Sequence, residues 1–171
     1  MSSIKLIAVG VLLLLLIPVV VIDLRERRIP NWLNAALAAT GLLAQSLVAD
    51  SFRDVLAALI APAAIIALFL GIIAVMKLLR HPGTLGLGDV KFLAAASLWV
   101  GFVGSTVVFV LASLLALGFM VVRAPWRSLD FKQAIAFGPF LAASLLLIFV
   151  LAGPLDTVRE APPVLADAGA V

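Results

Sequence analysis

Cysteine and tyrosine are absent from this chain of 171 residues, and charged residues make up only 12% of it. Without cysteine the chain has no disulfides, no thiolate metal ligands and no cysteine nucleophile. His81 is the single histidine, and a lone histidine without a partner is a poor metal site, so we expect no metal. A soluble domain carries about 25% charged residues, and the scarcity of charge here excludes that class.

Hydrophobic residues account for 65% of the chain, and the mean hydropathy is +1.29. We therefore predict an all-α membrane protein: one polytopic helix bundle over residues 1–153, followed by a flexible tail over residues 154–171. The apolar run over residues 4–22 is longer than the core of a secretory signal, and we interpret it as the first transmembrane helix. The net charge of +3 forms no basic patch, so we expect no nucleic-acid partner.

The apolar runs predict six transmembrane helices, since about 20 residues cross the hydrocarbon core of a bilayer. Residues 90–122 are apolar apart from Lys91, and as one helix they would extend for about 50 Å, too long for a simple crossing. Basic residues lie both before and after this stretch, so an even number of crossings is required. We predict a hairpin that turns near residues 101–104. The other helices are predicted over residues 4–22, from 30 or 31 to 48, 55–79 and 134–152.

The basic residues are divided unequally between the two sides of this bundle. Three of the twelve, Lys5, Arg53 and Arg159, fall on one side, and nine fall on the other. The positive-inside rule places the larger set in the cytoplasm and both chain termini outside. The nine are Arg25, Arg27, Arg28, Lys77, Arg80, Lys91, Arg123, Arg127 and Lys132.

Two aspartates interrupt the apolar pattern at helix ends on the predicted cytoplasmic side. Asp23 follows the first apolar run, and Asp89 ends the sequence Gly-Leu-Gly-Asp. A carboxylate at a membrane boundary is costly to keep and is a functional candidate. Two carboxylates held close share a proton, so one can accept a proton from water while the other donates to a carbonyl oxygen. Each also has a simpler interpretation: Asp89 as a helix N-cap and Asp23 as the partner of a loop arginine.

Residues around the aspartates suggest supporting roles. Gly86 and Gly88 allow substrate or backbone to approach closely. Lys91 either extends to the lipid headgroups or acts electrostatically beside the aspartates. The Gly-Pro pair at residues 138–139 predicts a kink in the last helix. Three tryptophans are predicted to lie at the membrane interfaces: Trp32, Trp99 and Trp126.

Three segments of the sequence, two of which contain the aspartates, form a larger motif. Residues 23–31 begin with Asp23 and end with Ile29, Pro30 and Asn31; residues 86–101 begin with Gly-Leu-Gly-Asp-Val-Lys; and residues 137–142 read Phe-Gly-Pro-Phe-Leu-Ala. In this order they resemble the type IV prepilin peptidases, which are intramembrane aspartic proteases of the GxGD type. A lone GxGD motif would be weak, whereas three segments in order form a specific pattern.

The resemblance implies an intramembrane aspartic endopeptidase that removes the basic leader from prepilin or pseudopilin precursors, with Asp23 and Asp89 as the catalytic pair. It also implies residence in the inner membrane, with the active site at the cytoplasmic face. Larger bacterial members carry an extra cytoplasmic domain linked to N-methylation. Only about seven residues separate Asp23 from Asn31, so we expect neither that domain nor methyltransferase activity. The chain is more similar to the short peptidases of tight-adherence (Flp-type) pili or to archaeal preflagellin peptidases.

Two other functions stay open from the residues alone. A membrane transporter could use the aspartates to bind protons or cations, although no ionisable residue lies at the middle of a predicted span and no clear internal repeat is present. In a structural or assembly subunit, the aspartates would only cap helices. The oligomeric state is not predicted.

Overall fold

A computed structural model describes residues 3–80, 86–123 and 136–152 of the chain. All regular structure in these residues is α-helical, which confirms the predicted fold class. Several predictions lie outside the described residues: the tail over 154–171, the loop residue His81, and Trp126, Arg127, Lys132 and Arg159. The helices are α1 (Ser3–Glu26), α2 (Asn31–Val48), α3 (Phe52–Ala58), α4 (Ile60–Leu78), α5 (Leu87–Arg123) and α6 (Gly138–Ala152).

The first two helices are joined by a short turn. α1 extends one turn beyond its predicted end at residue 22, and Arg27 follows it with a φ of 53°. The backbone N–H of Arg27 donates to the carbonyl oxygen of Asp23 at 2.9 Å, which closes the last turn. Pro30 has extended backbone angles and directly precedes α2. Asp23 therefore lies in the last turn of α1, just before the turn that leads into α2.

The third predicted span is divided into α3 and α4 at Leu59. Pro62 explains the break, because it has no N–H to donate to the carbonyl oxygen of Ala58, four residues earlier. The helix also begins earlier than predicted. The backbone N–H of Ser51 donates to the carboxylate of Asp54 at 2.9 Å, and this capping interaction starts α3 just after Ser51.

α5 contains a sharp kink at Gly101, which has a φ of 71° and a ψ of −179°. This combination is open to glycine and strained for other residues, so glycine permits the chain to leave helical geometry here. The kink lies within the turn predicted near residues 101–104. It divides the helix into an earlier and a later half.

The two halves of α5 run in opposite directions along α6. Asp89 and Phe137, at the starts of α5 and α6, line one cleft. Further along both helices, Trp99 packs against Phe149 with ring centroids 5.6 Å apart. Beyond the kink the chain returns, and Phe109 packs against Phe137 at 6.2 Å. The chain of α5 therefore doubles back at Gly101.

The earlier half of α5 forms the centre of the bundle. Every residue from 92 to 100 is buried, and α2, α4 and α6 all pack against this helix. Buried hydrogen bonds connect it to α2: Trp99 Nε1 donates to the carbonyl oxygen of Leu37, and Gln45 Nε2 donates to that of Leu98, both at 2.9 Å. The predicted interfacial position of Trp99 is wrong, since its side chain is only 3% exposed. Its N–H finds a partner inside the bundle instead of at the lipid headgroups.

Within residues 3–80, 86–123 and 136–152, three apolar segments are long enough to cross a membrane: Lys5–Glu26, Phe52–Leu78 and Leu87–Val122. A shorter apolar helix covers Gly138–Leu151. Large apolar side chains such as Leu14 and Leu47 are more than 70% exposed on the outside of the bundle. An apolar exterior of this kind suits a hydrocarbon environment, and the chain is a membrane protein.

Candidate active site

Asp23 is held between α1 and α6. Its side chain is 5% exposed, and its Oδ2 accepts a hydrogen bond from the backbone N–H of Gly138 at 2.7 Å. Gly138 is the first residue of α6, where backbone N–H groups have no partner within the helix. The predicted kink at residues 138–139 is therefore wrong. The Gly-Pro pair begins a helix, which suits a proline that lacks an N–H.

The contact between Asp23 and Gly138 requires glycine. A Cβ atom built at position 138 would lie 2.7 Å from Oδ2 of Asp23 and 2.9 Å from its Cβ. These distances are far below normal van der Waals contact, so any side chain here would displace the carboxylate or α6. Gly138 thus donates a hydrogen bond to the carboxylate of Asp23 and, having no side chain, leaves room for it.

Asp89 lies in the first turn of α5 and is half-buried. The carbonyl oxygen of Gly86 accepts hydrogen bonds from the backbone N–H groups of Asp89 and Val90, at 3.0 Å and 3.2 Å. A Cβ atom at position 86 would lie 2.8 Å from Oδ2 of Asp89. The first glycine of the motif therefore leaves room for the carboxylate.

Gly88 plays a different part from Gly86. A Cβ atom there would meet the backbone nitrogen of Ile29 at 3.8 Å and its Cβ at 3.9 Å, which are ordinary contact distances. Ile29 is buried in the turn between α1 and α2. Gly88 and Ile29 thus bring the turn after Asp23 against the loop that carries Asp89.

Both aspartates line one cleft of about 260 Å³. Its walls come from the end of α1, the turn before α2, the start of α5 and the residue before α6. The lining residues are Asp23, Arg27, Arg28, Ile29, Asn31, Gly86, Gly88, Asp89, Lys91 and Phe137. Seven of the eight predicted site residues are among them. Pro30 is the exception; it lines a neighbouring cleft with Ile22, Glu26, Arg28 and Trp32.

Lys91 does more than extend toward the lipid headgroups. Its Nζ donates a hydrogen bond to Oδ1 of Asn31 at 2.9 Å, and both residues line the cleft. The bond connects the first turn of α5 to the first turn of α2. A second cation, Arg28, pairs with Glu26 at 2.8 Å on the exposed surface.

Asn34 was not identified from the sequence, although it contributes to this region. It is 6% exposed, and its Nδ2 donates to the carbonyl oxygen of Gly88 at 3.4 Å. A polar side chain inside an apolar helix is itself a signal of function in membrane proteins. Gly138 gave a weaker signal, because nothing in its neighbouring residues points to Asp23.

The arrangement of the two carboxylates suits acid-base chemistry. Within residues 3–80, 86–123 and 136–152, no three histidine or acidic side chains come together as a metal-ligand cluster. Two carboxylates in one cleft can share a proton, and together they can exchange protons with water and with a substrate carbonyl group. Both carboxylates line the same cavity, so a molecule bound there would contact both of them.

Residues 10–121 match the type IV leader peptidase family. This chain belongs to that family. The matched region contains both aspartates and the kink at Gly101, and it ends before Gly138. The resemblance inferred from the three sequence segments is therefore confirmed.

Individual relatives support the assignment. The chain is 32% identical over 123 residues to a prepilin leader peptidase/N-methyltransferase from Burkholderia pseudomallei (strain K96243), covering 71% of this chain and 39% of the relative. A protein of the same description from Dickeya chrysanthemi is 34% identical over 124 residues, covering 72% and 43%. Leader peptidase HopD from Escherichia coli is 42% identical over 69 residues, covering 40% and 44%. The chain thus spans about two fifths of the length of these relatives. No solved structure matches it.

Proposed function

We propose that this chain is a membrane-embedded aspartic endopeptidase that removes the leader peptide from prepilin or pseudopilin precursors. The observation that carries this proposal is the convergence of Asp23 and Asp89 on one cleft in a member of the leader peptidase family. The two residues come from helices that are far apart in the sequence. A pair that only capped helices would have no reason to share a cavity.

The reaction we propose needs one proton between the two carboxylates. The ionised carboxylate takes a proton from water as the water oxygen attacks the carbonyl carbon of the scissile peptide bond. The protonated carboxyl group donates its proton to the carbonyl oxygen. The tetrahedral intermediate then collapses and the C–N bond breaks. The leaving nitrogen takes the proton that the first carboxylate accepted from water, and a hydroxyl group of the intermediate returns a proton to the second carboxylate.

Other residues of the cleft position the aspartates. The N–H of Gly138 orients the carboxylate of Asp23 from the side of α6. Gly86 leaves space for the carboxylate of Asp89. The bond between Lys91 and Asn31 joins the helices that carry the cleft walls. In this proposal Ile29 and Pro30 shape the turn that brings α2 beside α5.

We also propose the topology predicted from the charges: six crossings, both termini outside, and the cleft at the cytoplasmic face of the inner membrane. The reversal of α5 at Gly101 supports an even number of crossings by that helix. Arg27, Arg28 and Lys91 all line the cleft, which agrees with a cytoplasmic location under the positive-inside rule. The lipid bilayer is then the immediate surrounding of the bundle.

We further propose that this bundle cleaves leaders without methylating the product. α1 and α2 are separated by only four residues, 27–30, which leaves no room for a domain between them. This short connection is the feature expected of peptidases that serve tight-adherence pili. Cleavage needs no cofactor in this proposal, because water and the two carboxylates carry out the hydrolysis.

The test is co-expression with a prepilin-like precursor, followed by separation of the precursor from the shorter product. We expect Asp23→Asn and Asp89→Asn to abolish cleavage while the protein accumulates in the membrane. Asp50→Asn is the matched control, because Asp50 is exposed and lies outside the cleft. Normal cleavage by either cleft variant would exclude the dyad. Proton or cation flux that depends on Asp23 in liposomes would favour a transporter instead.

A further inference from the structure

A second cavity, of about 360 Å³, lies beside the catalytic cleft between α2, α4 and α5. Its walls are mainly alanine and other apolar side chains, including Ala38 on α2, Pro62 and Ile66 on α4, and Ala94 on α5. We name this cavity the lateral groove. Small side chains on facing membrane helices allow another backbone to approach closely.

The lateral groove is continuous with the catalytic cleft. Asn31 and Lys91 line both cavities, and the hydrogen bond between them spans the boundary. A chain lying in the groove would therefore reach the two aspartates without crossing the core. The polar residues lie at the cleft end, and the remaining lining is apolar.

Asn34 lies in the groove with an unsatisfied acceptor. Its Nδ2 bonds to the carbonyl oxygen of Gly88, while its Oδ1 has no hydrogen-bond partner among the residues that the structure describes. A buried acceptor without a partner is unfavourable and points to a group that supplies the missing hydrogen. A lipid tail has no such group, whereas an unwound peptide has free backbone N–H groups.

We infer that the lateral groove receives the substrate segment on the other side of the scissile bond from the basic leader, because the groove is apolar, with Asn34 Oδ1 accepting a backbone N–H of that segment. This inference rests on the proposed peptidase function. The segment leaves helical geometry beside Asn34, because backbone N–H groups inside a helix are already bonded. Asn34 is bonded to Gly88, the residue directly before Asp89, so the unwound backbone lies next to the catalytic pair.

Filling the groove should weaken substrate binding selectively. We expect Ala38→Leu to raise KM for a full-length precursor about tenfold with little change in kcat, since it removes binding surface and leaves the dyad intact. The control is Ala39→Leu, the same change on an exposed residue of α2 that lies outside the groove. A short leader peptide that ends soon after the cleavage site should be cut equally well by both variants. An unchanged KM for the precursor would indicate a lipid occupant and overturn the inference.

The role of Asn34 is tested with Asn34→Leu, which keeps the approximate size and removes both the Oδ1 acceptor and the bond from Nδ2 to Gly88. We expect KM for the full precursor to rise about fivefold, the value of one neutral hydrogen bond. A purely structural Asn34 would alter thermal unfolding in detergent and leave KM unchanged, and that result would overturn the proposed contact.

Cross-linking locates the segment directly, because the chain has no cysteine of its own. Ala35→Cys places a thiol in the groove, and Ala36→Cys places one on the same helix outside it. In an Asp89→Asn background, a precursor with one cysteine shortly after the cleavage site should form a disulfide with Ala35→Cys in oxidised membranes. Equal cross-linking of Ala36→Cys would overturn the inference. Absence of precursor cleavage by the wild type would instead refute the proposed function.

Discussion

The backbone N–H of Gly138 donates a 2.7 Å hydrogen bond to Oδ2 of Asp23, joining two residues that are 115 positions apart. Through this bond the first residue of the last helix orients a carboxylate in the last turn of the first helix. Because a Cβ atom at position 138 would lie against the carboxylate, the contact depends on glycine. The described site is therefore completed by α6, outside the matched family region.

Gly138→Ala should lower kcat by about a hundredfold, since small displacements of a catalytic group have effects of that size. The added methyl group would push the carboxylate of Asp23 away from the cleft. Gly118→Ala is the matched control, because a Cβ atom at Gly118 meets nothing within 4 Å. Cleavage assays on membranes with equal amounts of each variant measure the effect. Equal activity of the two variants would show that the orientation of Asp23 tolerates movement.

The two glycines of the Gly-Leu-Gly-Asp motif should differ in sensitivity. Gly86→Ala places a methyl group 2.8 Å from the carboxylate of Asp89, so we expect it to lower kcat about tenfold or more. Gly88→Ala meets Ile29 only at ordinary contact distance and should be the milder change. Initial cleavage rates at saturating precursor compare the two. A larger loss for Gly88→Ala would contradict this order.

Gly41→Ala should destabilise the bundle by about 1–3 kcal/mol through overpacking. A Cβ atom at Gly41 would lie 2.8 Å from both Leu98 Cβ and Trp99 Nε1, inside the buried contact between α2 and α5. Gly71→Ala is the control, since it meets nothing within 4 Å and a helical alanine is intrinsically favoured over glycine. Thermal unfolding in detergent should show a lower midpoint for Gly41→Ala alone. Matching midpoints would indicate that α2 can shift away from α5.

Lys91 and Asn31 should act as a pair. Lys91→Met and Asn31→Ala each remove their hydrogen bond, and we expect each to destabilise the protein by about 0.5–1.5 kcal/mol. The double variant should lose little more than either single variant, because one interaction is removed in all three. The measurement is a double-mutant cycle that compares the unfolding midpoints of the wild type, the two single variants and the double variant. Additive losses would show that the two side chains contribute separately.

Several features follow from local sequence. The long apolar runs determine the helices and the membrane environment, because burial of apolar groups in lipid needs no partner from elsewhere in the chain. Gly101 permits the kink in α5 through its own backbone freedom. Asp23 and Asp89 stand out because carboxylates are rare in such runs. These are properties of short segments, and all could be predicted from them.

Local sequence was misleading where a distant element supplies the partner. Tryptophan is the residue type expected at a membrane interface, yet Trp99 is buried. Burial is possible because the carbonyl oxygen of Leu37 accepts its N–H. The Gly-Pro pair at the start of α6 was predicted to form a kink, and it instead begins a helix whose first N–H binds Asp23. The break before Pro62 was also missed, although proline itself is its physical cause.

The sequence alone determined that this is a helical membrane protein with two candidate aspartates, because hydropathy and helix formation act over about twenty residues. Only the tertiary structure decided that Asp23 and Asp89 line the same cleft and that Gly138 holds one of them. It also decided that Asn34 lines the lateral groove with an oxygen that has no partner among the described residues. These relationships depend on how α1, α2, α5 and α6 pack. Packing joins residues by distance in space, which separation along the chain does not reveal.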